Sequence, residues 1–148
     1  MELLERINTA LKEAIKSKDT DTRNAIRMLL TAIKNKEKEL RRELQEQEIL
    51  QLIATAIKQR KDSIAQYEKG GRTDLAEAER REVRILQQFM PEELSPEALQ
   101  ALVREVIQEV GATSVKDLGK VMKPLMAKIA GRADGKTVHE MVRQELSG

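Results

Sequence analysis

The sequence predicts an all-α protein, and three observations carry that prediction. Apolar residues recur every three or four positions along most of the chain, the period of one helical face. No run alternates β-branched and polar residues, as a half-buried strand does. With one Tyr, one Phe and no Trp, the core must be built from Leu, Ile, Val, Met and Ala, while Gly and Pro are few and gather at a few positions.

In the first helix, Leu4, Ile7, Leu11 and Ile15 mark the apolar face. The polar break Asp19–Thr22 supplies the N-cap of a second helix, which carries Ile26, Leu29, Leu30, Ile33 and Leu40. A third runs through Ile49, Ile53, Ala56, Ile57, Ile64 and Tyr67. It ends at Gly70-Gly71, because paired glycines weaken a helix and permit a left-handed cap. A fourth carries Leu75, Val83, Leu86 and Phe89.

The stretch MPEELSP at 90–96 reads as a joint. Each proline restricts the residue before it and donates no backbone hydrogen bond. Ser95 is the expected N-cap of the next helix, Pro96 its first residue and Leu94 the staple at its entry. That helix is expected to bury Leu99, Leu102, Val103, Val106 and Val110 and to stop at Gly111. Ser114–Asp117 reads as a capping-box variant that opens a helix through Leu118, Val121, Met122 and Leu125. Pro124 is expected to kink or split that helix. A last helix runs from about Gly135 to Leu146. The predicted domains are a unit of long helices at 1–90 and a compact tail at 95–148.

Composition removes several function classes. Cysteine is absent, which rules out disulfides, Cys-based zinc sites and a thiol nucleophile. The opening MELLERIN is acidic and amphipathic, unlike a signal peptide. No apolar run approaches the roughly 18 residues of a membrane span. The expectation is a soluble, cytoplasmic protein with no membrane partner. Net charge is only +2 although 35% of residues are charged, so there is no overall bias toward nucleic acid.

The stretch AGRADGKT at 130–137 misses a phosphate-binding loop by one glycine. Such a loop follows a buried strand and precedes a helix, whereas here the preceding residues are helical in pattern. Asp134 is therefore expected to be an N-cap accepting a backbone N–H, with Gly135 and Lys136 in the first turn.

Charge is segregated in the tail. Lys116, Lys120, Lys123, Lys128, Arg132 and Lys136 stand against Asp117 and Asp134 between 111 and 136. Between 91 and 110, Arg104 stands against Glu92, Glu93, Glu97, Glu105 and Glu109. The basic segment is either a solvated face or an anion-binding edge where lysines and glycine-exposed amides meet phosphates.

Two tail stretches, GKVMK at 119–123 and KIAGRADGK at 128–136, resemble the carboxyl-terminal tail of YqeY-like proteins. The same tail closes the B subunit of the tRNA-dependent Asp/Glu amidotransferase. Upstream, RMLLTAIKN at 27–35, IKQRKDS at 57–63, YEKGGRTDL at 67–75 and EVRILQQFMP at 82–91 fit the same pattern in order. Pro124 and Ala127 depart from it, since a small residue and a proline are more usual there. The resemblance implies a helical amino-terminal domain and a three-helix tail that helps hold tRNA. It implies RNA contact by Lys120, Lys123, Lys128, Arg132 and Lys136, with Gly119, Gly131 and Gly135 shaping the backbone turns. Amidotransferase or synthetase subunits are the implied protein partners, and no DNA binding is expected.

No catalytic residue, metal ligand or cofactor site is predicted. His139, between Val138 and Glu140, reads as a half-buried helix residue with no ligand partner at metal spacing. In the first unit, Arg23, Arg27 and Lys34 share an arc that can touch a phosphate backbone, although helical ion pairing also explains such a helix. Tyr67 and Phe89 cannot form a base-stacking platform, so any RNA target is folded RNA. The leading expectation is an accessory tRNA-binding protein without its own catalytic centre. Its alternatives are a helical protein-interaction module and, lower, a carbon–nitrogen ligase using glutamine as amide donor.

Overall fold

The computed structural model describes residues 2–148, and among them it is all-helical with no strand. Its helices are α1 Leu3–Ser17, α2 Thr20–Leu40, α3 Glu46–Lys69, α4 Thr73–Gln87, α5 Pro96–Val110, α6 Leu118–Ile129 and α7 Gly135–Ser147. A single 3-10 turn, Val115–Asp117, leads into α6. The chain divides into two compact units, Met1–Met90 and Pro91–Gly148, each with its own apolar core.

In the first unit α3 and α4 lie along each other, α1 packs on α2, and α2 reaches both α3 and α4. Leu3 and Ile7 of α1, Ile26, Leu29 and Ile33 of α2, and Ile49, Ile53 and Ile57 of α3 meet Val83, Leu86 and Phe89. Their spacing by three or four puts each set on one face of its helix. In α1 the buried face is Leu3, Ile7 and Ala14. Leu4 and Ile15, expected in that face, are 40% and 48% exposed. Adjacent positions lie about 100° apart on a helix, so with Leu3, Ile7 and Ala14 inward, their neighbours Leu4 and Ile15 fall at the edge.

The breaks have local causes. After α1, Lys18 adopts φ 59, its N–H donates to the Ile15 carbonyl and that of Asp19 to the Ala14 carbonyl, the paired bonds of a Schellman ending. The Asp19 carboxylate then accepts from the Thr22 N–H at 3.2 Å and the Thr22 hydroxyl at 2.7 Å, the predicted cap. Gly71, at φ 73, turns the chain after α3, and the Arg72 N–H donates back to the Tyr67 carbonyl.

In the second unit the Ser95 hydroxyl accepts from the Ala98 N–H at 3.1 Å, with Pro96 as the first helical residue. Leu94 packs against the core while its N–H donates to the Arg132 carbonyl at 2.9 Å. Val103, Val106, Val121, Leu125, Ile129, Val138 and Val142 are fully buried around Leu99. Val110, expected among them, is 37% exposed: it sits on the buried face of α5 but at the last residue, one turn beyond Val106.

Two further expectations are corrected. Ser114 makes no side-chain cap; instead the Asp117 carboxylate reaches back to the Thr113 N–H at 2.9 Å, and α6 begins only after the 3-10 turn. Pro124 does not split α6, which continues to Ile129. A proline inside a helix costs about 3 kcal/mol, whereas burying Val121, Leu125 and Ile129 contributes roughly 1.5–3 kcal/mol each. Tertiary packing therefore holds the helix together.

Candidate nucleic-acid interface

The basic side chains of the tail have unequal surroundings. Taking 100° per residue along α6, Lys120 and Lys123 lie opposite the buried line Val121, Leu125 and Ile129, while Lys128 lies at its flank. Lys120 is 74% exposed and only loosely paired, with Asp117 at 3.8 Å. Lys123 and Lys136 are exposed, and among the described residues no carboxylate pairs with them. Lys116, in the 3-10 turn, is likewise exposed.

Lys128 is engaged elsewhere. Its ammonium lies 2.9 Å from a Glu109 carboxylate oxygen and 3.5 Å from Glu105, two residues one turn apart on α5. The hydrogen bond to Glu109 comes first among the causes that raise the Lys128 pKa above its ordinary value. Arg132 is engaged too: its Nε donates to the Ile129 carbonyl at 3.0 Å and its Nη2 to the Lys128 carbonyl at 3.1 Å. These are acceptors that the end of α6 leaves without intrahelical partners. The guanidinium thus closes the helix, and the Arg132 backbone carbonyl holds Leu94.

In the sequence these five cations form one undivided group. The structure leaves Lys120, Lys123 and Lys136 open to solvent and draws Lys128 and Arg132 into the tail's own framework. The signal for the difference was present in the acidic run of α5, because Glu105 and Glu109 are spaced to form one carboxylate site.

The glycines also differ. Gly131 adopts φ 80 after Ala130 at φ 48, so the loop needs it there. Gly119 and Gly135 sit in the first turns of α6 and α7, and a Cβ at either would meet nothing within 4 Å. Neither packing nor a left-handed backbone requires them, and both residues are exposed. Asp134 occupies the N-cap position of α7, but its carboxylate caps no backbone N–H. It instead accepts from the Thr137 hydroxyl at 3.5 Å, which corrects the expected cap.

His139 is exposed, not half-buried. Val138 and Val142 define the inward face of α7, and the next residue turns about 100° away from it. On the far side of the tail, Glu145 accepts from Gln100 at 2.9 Å and Arg104 at 3.2 Å. These donors, Arg104 first, hold its pKa below the ordinary value, and the cluster ties α5 to α7.

A family described as Yqey-like protein matches residues 4–146. Among similar proteins, Altered inheritance of mitochondria protein 41, mitochondrial, of Kluyveromyces lactis is 34% identical over 130 residues, covering 86% of this chain and 67% of the relative. The protein of the same name from Lachancea thermotolerans is 40% identical over 81 residues, covering 54% and 43%. An uncharacterized protein of Schizosaccharomyces pombe is 32% identical over 89 residues, covering 60% and 72%. The chain thus spans from under half to about seven tenths of these relatives. Two of them carry mitochondrial names, and that overturns the cytoplasmic expectation.

Proposed function

We infer the function from one premise: the chain belongs to the YqeY-like family. We propose that it is an accessory protein that holds folded tRNA through its tail and has no catalytic centre of its own. The observation that supports this most is the exposure of Lys120, Lys123 and Lys136 beside the accessible first turns at Gly119 and Gly135. Lysines on a phosphate backbone act as point charges and tolerate any sequence. With no Cβ in the way at Gly119 and Gly135, a phosphate can approach the backbone closely there. Lys128 and Arg132 serve this surface indirectly, by fixing α6 against α5 and closing its end. The names of the relatives make mitochondrial tRNA the first RNA to try.

Binding of nuclease-treated protein to tRNA across a salt series, with double-stranded DNA as control, tests this reading. Three phosphate contacts give a log–log salt slope of about −2 to −3. Replacing Lys120, Lys123 and Lys136 together by Ala is expected to remove that part of the slope, while Lys128→Ala leaves it nearly unchanged. A triple variant that binds tRNA like the wild type would exclude the tail as the contact surface.

A further inference from the structure

Outside the tail, α2 carries a line of cations without ion pairs among the described residues. On α2, Arg23, Arg27, Lys34 and Lys38 follow one another at intervals of four, seven and four residues. At 100° per residue they fall within about 60° of arc, and at 1.5 Å rise they extend over roughly 22 Å. Arg27, Lys34 and Lys38 are exposed and Arg23 is partly so.

None of the four makes an ion pair among the described residues, although carboxylates elsewhere do capture cations. Arg42 is held by Glu48, Arg60 by Glu82, Arg80 by Glu68 and Arg81 by Asp21. Arg23 donates only to the neutral Asn24 side chain, at 3.4 Å. The acid closest to the line on α2, Glu37, accepts instead from the Leu44 N–H at 3.0 Å. A face that serves only solubility in a chain this rich in both signs mixes Glu with Lys. This face carries one sign for its whole length.

We propose that this line is a second phosphate-backbone contact for folded RNA, separate from the tail surface. A membrane-bound helix needs bulky apolar or aromatic groups beside its cations, but between Arg27 and Lys34 the line offers Thr31, whose hydroxyl is turned to the Arg27 carbonyl at 2.9 Å. Leu30 is partly buried against the core. An acidic peptide docking as a helix needs an apolar groove, which the line does not contain. Point charges on a straight, rigid helix suit the regularly spaced phosphates of a duplex region.

The test compares salt slopes for tRNA and a plain RNA duplex among three full-length variants. The first replaces Arg27, Lys34 and Lys38 by Ala, which keeps the helix because Ala is the best helix former. The second replaces Lys12, Lys16 and Lys69 by Ala, removing equal charge from other exposed positions. The third is the tail variant at Lys120, Lys123 and Lys136. The α2 variant is expected to lose about two to three units of slope on both RNAs, and the charge-matched variant to keep the wild-type slope. An α2 variant that behaves like wild type overturns the second contact alone, and a wild-type-like tail variant overturns the tail reading alone. Equal losses in the α2 and charge-matched variants reduce the effect to net charge and overturn the proposal. So does an α2 variant defective only on anionic vesicles, or a wild type that binds neither RNA.

Discussion

Lys128 and Lys136 are each a lysine in one basic stretch, and nothing in their immediate neighbours separates them. The fold separates them, because Glu105 and Glu109 come from another helix and claim Lys128 alone. Candidate site residues are therefore legible locally only as a group; what separates them lies 19 or 23 positions away, in the acidic run of α5. Glu48 shows the same dependence with a consequence that pH can read. Its carboxylate takes both hydrogen bonds of the Arg42 fork, at 2.7 and 2.9 Å, and one from the Gln45 N–H at 3.0 Å. Arg42 first, then that amide, lower its pKa from 4.5 to about 2. The folded value lies below the unfolded one, so the stability Glu48 contributes is complete above about 4.5 and is lost as pH falls toward about 2. Glu48→Gln is expected to flatten the fall of the urea midpoint within that window, leaving the decline that Asp19 and Asp117, also lowered, still impose. Parallel midpoint–pH curves for the two proteins would show that the pair does not act on folding.

Helices were the most legible elements because their cause is local. Ser95-Pro96, Asp19 and Gly70-Gly71 each mark a boundary that the fold uses. What the pattern does not contain is which of two adjacent apolar residues turns inward, as Leu3 and Leu4 show, or where the core ends, as Val110 shows. Pro124 shows the converse: it does not split α6, because a strong local signal is outweighed by burial of Val121, Leu125 and Ile129. That account makes a prediction at the level of the helix. Pro124 withholds one N–H from a helix otherwise held by its packing, so Pro124→Ala is expected to stabilise the protein by about 1–3 kcal/mol, reduced somewhat by the freer unfolded chain. Urea unfolding followed by circular dichroism measures this. A loss of stability would mean that the ring's own packing outweighs the missing hydrogen bond.

Across the whole molecule, 27 basic residues nearly balance 25 acidic ones, so any affinity for RNA must come from where charges stand rather than from how many there are. On α2 the cations Arg23, Arg27, Lys34 and Lys38 share one arc, and on α6 Lys120 and Lys123 face away from the core, while other cations are held by carboxylates, as Arg60 is by Glu82 and Arg104 by Glu145. The fold also withdraws aromatic surface. Phe89 is 3% exposed within the first core, and Tyr67 is half-buried, so no pair of rings is left on which successive bases can stack. Stacking contributes about 1–3 kcal/mol per base in proteins that hold single strands, and this chain must do without it. Phosphates held at fixed spacing by a folded duplex can meet rigid helical cations without being ordered first; those of a flexible strand must be ordered on binding. Competition against labelled tRNA should therefore separate the two kinds of polyanion. At equal phosphate concentration, polyuridine is expected to compete at least about tenfold less well than unlabelled tRNA, which corresponds to about 1.4 kcal/mol. Equal competition would mean that charge alone is recognised, and the ordered lines of lysine and arginine would then have no bearing on the choice of RNA.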